Sequence, residues 1–429
     1  MKYIGHSVTL DKERCVGCTI CLKRCPTDAI RILNGKAVIF GKKCIDCGEC
    51  IRVCPHHAKK AVVDHMDILD QYEYTIALPS QTLYAQFAGM RNRNVVLTAL
   101  KKLGFDDVFE VAAGADVVSR MTKEDMDAGR LPNPVISSSC PTVVRIIRAR
   151  YPSLLPNLHD VRSPLEVAAR WAKQLAMEKT GLPKEKIGCI CIAGCPAKAT
   201  SVRRPLGEKE SYVDGILSIA DVYPLIQPLL KDITEPEILA RSSPLGVGWV
   251  KSGGEAYASR ATHSLYADGI DNIIKVLDAI EDEKIHQARF IELNACSGGC
   301  VGGVLTVENP FIAKSRITHI MGTPTGVLPM AEYPMDDLRM DEEITYNPAL
   351  QLDDNLQQAM MKLAKIRELE KKFNGMDCGA CGAPSCHALA EDIVMGYGKE
   401  DQCIFLRCEK MEAQLAELEQ QLAERKESC

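Results

Sequence analysis

The chain has 429 residues, 46% of them hydrophobic and 5% aromatic, and a formal net charge of -5, which gives no basic face for nucleic acid. Its length suggests roughly two to four domains with ample chain for real cores. No run of roughly 18 or more apolar residues offers a membrane span, and no apolar run of signal-peptide length precedes the charged DKER, so a cytoplasmic place without membrane contact is expected.

Twenty cysteines are too many for an ordinary intracellular chain, and 429 residues are too many for a disulfide-stapled scaffold. Metal is the better explanation. In residues 1–66, Cys15, Cys18, Cys21 and Cys25 are followed by Pro26, and Cys44, Cys47, Cys50 and Cys54 by Pro55. This doubled spacing resembles the bacterial two-cluster ferredoxins, in which the fourth cysteine of each run ligates the other cluster. One 4Fe-4S cluster is thus expected on Cys15, Cys18, Cys21 and Cys54, and a second on Cys44, Cys47, Cys50 and Cys25. Two structural zinc sites are the alternative, although zinc frameworks seldom repeat this rhythm. His56 and His57 lack companions at ligand spacing and default to surface or capping roles.

Residues 67–350 form the largest unit. YTIALPS, NVVLTAL, KIGCICIAG and ARFIELNAC read as short buried strands, each followed by a stretch of helical period, which predicts an α/β architecture with a largely parallel sheet. Four cysteines stand out here: Cys140 in ISSSCP, Cys195 in IAGCPAKAT, and Cys296 and Cys300 in NACSGGCVGGV. Their small neighbours let backbone approach an inorganic group closely. Cys195 and Cys296 come just past a predicted strand, where open α/β sheets place ligands. Cys189 and Cys191 are expected on opposite sides of their strand as small buried hydrophobes.

A helical linker is expected over 351–372, then a further site over 373–407. Cys378, Cys381 and Cys386 lie in a Gly- and Pro-rich loop, and Cys403 follows a predicted helix of about 12 residues beginning near Pro384. This resembles the single 4Fe-4S domain of corrinoid iron-sulfur proteins, while zinc would suit the same four thiols. His387, beside Cys386, is again assigned a surface or capping role. From 408 to 429 an amphipathic helix carries Met411, Leu415, Leu418 and Leu422 at spacings of a coiled-coil seam. The stripe suits either pairing with another helix or docking on the chain's own body. Cys408 and Cys429 have no assignment.

ISSSCP, AGCPAK and NACSGGCVGG together resemble the three characteristic segments of the iron-only (FeFe) hydrogenases, which also place a ferredoxin unit first. The resemblance implies that Cys140, Cys195, Cys296 and Cys300 bind the 4Fe-4S half of an H-cluster, and that Cys300 bridges to a diiron unit bearing CO, CN and an azadithiolate bridge. It implies that Lys198 bonds one cyanide and the Pro79–Ser80 segment the other, and that KSGGEAYASR, with Gly253 and Gly254, lines the fold.

The departures matter as much. Catalytic members carry a second cysteine where this chain has Ser139, and that thiol relays protons. A thiol has a pKa near roughly 8.5 and an alcohol lies nearer water's roughly 15.7, so forming an alkoxide costs roughly 9 to 10 kcal/mol more. Serine can still relay by donating and accepting in one concerted step. Ala193 and Asn294 replace residues that pack the cofactor in the family, leaving a more polar surrounding that shifts its potential. Taken together, these features suggest a hydrogenase of low turnover that senses H2. It would split H2 reversibly into protons and electrons and report through its clusters to a redox or signalling protein such as a kinase or phosphatase, with homodimerisation an option. A ferredoxin-linked catalytic hydrogenase and an iron-sulfur assembly protein without the diiron unit are the alternatives.

Overall fold

The computed structural model describes residues 5–330 and 333–427; Cys429 lies outside them. Two compact units emerge. The smaller comprises Leu10–Cys44, Glu49–Lys60 and Pro348–Cys429, and the larger Met1–Thr9, Ile45–Gly48 and Ala61–Asn347.

In the smaller unit, short helical turns at Ile20–Lys23 and Glu49–Arg52 carry cysteines of the two N-terminal runs. Strands β1 (Ile30–Leu33) and β2 (Lys36–Ile39) form an antiparallel hairpin. Asn34 and Gly35 both have positive φ at its tip, as a two-residue turn that matches strand twist requires. Cys15, Cys21, Leu22, Ile30, Ala37, Cys54 and Ala58 make its core. The C-terminal part contributes helices Leu356–Lys372, Cys386–Val394 and Ile404–Glu427, with Ser385 capping the second through its hydroxyl. Ile366, Leu369, Phe373, Leu389 and Cys403 pack together beneath them. Along the last helix Met411, Leu415, Leu418 and Leu422 are exposed, so the stripe does not dock on the described residues.

The larger unit holds two parallel sheets. Strands β3 (Tyr74–Pro79), β4 (Asp107–Val108), β6 (Ile187–Ala193) and β7 (Gly215–Ser218) run in the order β4-β3-β6-β7. Strands β5 (Val135–Ile136), β8 (Ser264–Asp268) and β9 (Phe290–Asn294) run in the order β8-β9-β5. Three of the expected strand segments are β3, β6 and β9. NVVLTAL is not a strand but part of the helix Arg93–Lys102. The Asn92 side chain accepts from Asn94 N–H at its start, and Val96, Leu97, Ala99 and Leu100 are buried, so capping and helical spacing outweigh the β-branched pair. Cys189 and Cys191 also correct their expectation. They share one face of β6 and one core cluster, because residues two apart in a strand point the same way, while Ile190 and Ile192 face the other cluster. Both are buried as expected, and burial pushes the Cys191 thiol up to about 12.

Helices Val111–Asp127 and Pro164–Thr180 cross at Gly114, where a Cβ would meet Pro164 O at 2.2 Å. Glu110, fully buried at the start of the first, accepts from Tyr84 Oη at 2.8 Å, Arg93 Nε at 2.9 Å and Ser242 N and Oγ at 2.9 and 3.0 Å. Removing its carboxylate strands the buried Arg93, so Glu110→Ala is expected to cost about 3–5 kcal/mol in chemical denaturation. A loss under about 1 kcal/mol would contradict this. No helix among the described residues is long and apolar enough to cross a membrane.

Candidate functional site

Cys140, Cys195, Cys296 and Cys300 line one cavity of about 130 Å³ in the larger unit. Each is delivered by a short segment at an element boundary. Cys140 follows β5 and stands at the N-cap of Pro141–Arg150, and Cys195 follows β6 at the N-cap of Pro196–Arg203. Proline at the first position of both helices suits their start, and the helix ends favour negative charge on these sulfurs. Cys296 and Cys300 lie on the chain leaving β9, the latter opening the turn Cys300–Gly302. This turn meets the Cys195 loop backbone to backbone: Leu305 N–H donates to Gly194 O, and a Cβ on Gly303 would come within 2.3 Å of that same oxygen. Cys47, from the second N-terminal run, lies in the same wall. Its loop is anchored by Asp46, which accepts from Ser7 N at 2.7 Å and Thr200 Oγ1 at 2.8 Å.

Burial pushes the Cys300 thiol up to about 12 and raises that of Cys195, against the pull of Lys198. Burial works against the Lys198 ammonium, but Cys191, Cys300, Cys195 and Cys140 outweigh it and hold its pKa above the ordinary lysine value. The donor set is all soft sulfur, which selects iron-sulfur or similar thiophilic groups. A cation on the wall beside it fits a further anionic ligand. The residues thus fit a thiolate-held cluster extended by an anionic group.

Ser139 sits in the wall next to Cys140 and donates its hydroxyl to Glu255 Oε2 at 2.8 Å. Ser137 Oγ donates to the same oxygen at 2.7 Å and lies 2.9 Å from Ser139 Oγ. Burial, with the neighbouring Glu292 carboxyl, pushes Glu255 up to about 8. Glu292 is held by Gly253 N and Ala256 N at 2.9 Å and by Asn294 Nδ2 at 2.8 Å, and burial raises it too. Asn294 Oδ1 in turn lies 3.9 Å from Cys300 Sγ. Two hydrogen-bonded sets, Ser137–Ser139–Glu255 and Glu292–Asn294, therefore stand side by side at the cavity.

Ser80 lines the cavity beyond the end of β3, whereas Pro79 and Ala193 are not in its wall. Pro79 pairs with Ile192 across the sheet, and Ala193 packs in the core cluster beneath it, with Gly194 reaching the cavity instead. Glu255 and Glu292 were missed from the sequence. A carboxylate inside the apolar strand FIELN was the available signal.

In the smaller unit Cys15, Cys18, Cys21 and Cys54 surround one hollow with Ile32, so the fourth cysteine of the second run joins the first three of the first. Ala58 N–H points at Cys54 Sγ at 3.3 Å and Ala29 N–H at Cys25 Sγ at 3.2 Å, equivalent bonds in the two runs. Cys50, pushed up to about 12 by burial, is near enough to feel Cys25 and Cys21. Burial raises Cys381, and neighbouring Cys378 and Cys403 add to the shift. Cys386 N–H donates to Asp377 Oδ1 at 2.6 Å.

Among known proteins, the family model described as iron only hydrogenase large subunit, C-terminal domain, matches residues 75–265 and 250–304, more than half of the chain. The chain belongs to the iron-only hydrogenase family. A 4Fe-4S dicluster domain matches residues 7–55 and a putative Fe-S cluster domain residues 374–405. The chain is 25% identical to iron hydrogenase 1 of Clostridium pasteurianum over 371 residues, 70% of this chain and 64% of that one. It is 26% identical to the periplasmic [Fe] hydrogenase large subunit of Nitratidesulfovibrio vulgaris over 381 residues, 73% of this chain and 90% of the other. A cytosolic Fe-S cluster assembly factor NAR1 homolog of Schizosaccharomyces japonicus is 30% identical over 98 residues, 22% of this chain and 19% of that one. The chain thus spans just under two thirds of the first relative's length.

Proposed function

We propose that this member of the iron-only hydrogenases is a slow, reversible, H2-sensing hydrogenase that reports through its iron-sulfur clusters to a signalling protein. Cys140, Cys195, Cys296 and Cys300 would hold the H-cluster's cubane, and Cys300 would bridge to its diiron unit. When bound, that unit supplies the H2-splitting chemistry. Lys198 donates to its anionic ligands from one side, with Ser80 placed on another part of the wall. The buried walls exclude bulk water, so protons need a path through side chains.

The observation that carries the reading is the Ser139–Glu255 hydrogen bond. An isolated serine is a poor proton carrier. One bonded to a carboxyl of raised pKa hands its own proton to the cavity side while accepting one from protonated Glu255, and runs in reverse once Glu255 is ionised, so neither a free alkoxide nor a free oxonium forms. Ser137 supports the same oxygen, and the neighbouring Glu292 carboxyl helps to raise the Glu255 pKa. Such a relay works, but more slowly than a thiol. That matches a protein whose output is a signal and not a flux.

Lys198 speaks against the assembly-protein alternative. A lysine on the wall beside the four sulfurs has donors left over for a second anionic ligand next to the cubane, which a lone cubane does not use. Lys198→Met is accordingly expected to abolish retention of a synthetic diiron complex while the cubane still assembles; equal retention by the variant would contradict this role. To test the proposal as a whole, the protein is matured with a synthetic diiron complex and its H2 oxidation and proton reduction are measured. Turnover well below that of catalytic members supports it, and turnover equal to theirs overturns it.

A further inference from the structure

Within the smaller unit, the C-terminal cysteine loop is built directly against the N-terminal cysteine segment. Gly382, next to Cys381, has a φ of +87°, and its carbonyl accepts from Ile32 N–H at 2.9 Å. A Cβ at Gly382 would stand 2.2 Å from Ile32 O, so only glycine permits this approach. Ile32 belongs to β1 and also lines the hollow around Cys15, Cys18, Cys21 and Cys54. Lys23, on the same helical turn as Cys21, donates Nζ to Pro384 O at 2.6 Å and also to Asp377 O. One ammonium is therefore clamped between the segments that carry Cys21 and Cys378. Two further pairs hold the junction: Arg31, buried, reaches Asp392 with Nε at 2.5 Å and Nη2 at 3.0 Å, and Lys43 meets Glu391 at 2.7 Å. A two-pronged Arg–carboxylate bond fixes orientation as well as distance.

We propose that the C-terminal cluster is the direct electron-exchange neighbour of the Cys15, Cys18, Cys21 and Cys54 cluster, with Gly382–Ile32 as the junction, and so serves as the chain's terminal electron port. This rests on the reading that both sites hold 4Fe-4S clusters. One electron leaves one cluster as the other is reduced by one, and no bond is made or broken. Lys23 favours the more negative, reduced form of both clusters. A partner that reads the redox state through this port needs no access to the central cavity.

The test uses the full chain reconstituted with iron and sulfide, without the diiron complex, and reduced with dithionite. Iron and zinc analysis first decides what the C-terminal site holds; zinc there overturns the electron port while leaving the central cavity's reading intact. With both clusters loaded, low-temperature electron paramagnetic resonance should show spin–spin broadening of the C-terminal signal. That broadening should be lost in Gly382→Val and retained in Lys43→Met. An unbroadened C-terminal signal in the wild type overturns the proposal. Should Gly382→Val fail to fold, Lys23→Met decides: midpoint potentials of both clusters moving negative support the junction, and a shift of one or neither overturns it.

Discussion

Glu255→Gln is expected to lower the H2 turnover of the matured protein by about 10² or more, within the roughly 10²–10⁴ that a placed proton-transfer group contributes. The amide keeps the size of the carboxyl and can still accept from Ser139 and Ser137, so the wall survives while the acceptor of charge is lost. A pH profile separates relay from scaffold. With its carboxyl pushed up to about 8, Glu255 carries its proton at neutral pH, so wild-type proton reduction should fall as pH rises through that value. The inflection should vanish in the variant. The same shift has a stability consequence of definite sign. A carboxyl whose folded pKa lies above its ordinary 4.5 stabilises the fold fully below that value, and the contribution is lost as pH rises through about 8. Urea denaturation of the cluster-free protein should therefore show stability falling over that window for the wild type and falling less for Glu255→Gln. An unchanged rate and an unchanged pH profile in the variant would remove Glu255 from the relay.

Ser139→Cys should move activity the other way, raising turnover by about 10- to 100-fold, a fraction of what a placed proton carrier can supply. The gap between an alcohol and a thiol, roughly 7 pKa units, sets an upper limit that will not be reached, because the bond to Glu255 already spares serine the alkoxide. A thiol can ionise in its own right and so depends less on its acceptor. In a double-mutant cycle, the loss caused by Glu255→Gln should accordingly be smaller in the Ser139→Cys background than in the wild type. Independent, additive effects would show that the two residues do not share a path. A Ser139→Cys protein no faster than wild type would contradict the assignment of Ser139 as the slow carrier.

Much of the fold was legible because the signals were local. Short buried apolar runs ending in small residues marked β3, β6 and β9, and the positions of Cys195 and Cys296 beyond two of them followed. The cysteine spacings anticipated the exchange of Cys54 between the two N-terminal runs. Short apolar stretches were harder: NVVLTAL reads equally as strand or helix until Asn92 is seen to cap it. Side-chain direction failed at Cys189 and Cys191, because residues two apart in a strand share a face. What sequence could not show at all was the meeting of Ser139 with Glu255, 116 positions apart and delivered by different elements. The packing of the Gly382 loop against Ile32 was likewise invisible, since it joins opposite ends of the chain.

The most direct measurement is infrared spectroscopy of the protein after maturation with a synthetic diiron complex. Sharp bands of iron-bound carbonyl and cyanide that persist after gel filtration, and that are lost in Cys300→Ser, are the expected result. A spectrum without such bands, from protein whose other cluster sites are loaded, would contradict a diiron unit in the cavity formed by Cys140, Cys195, Cys296 and Cys300.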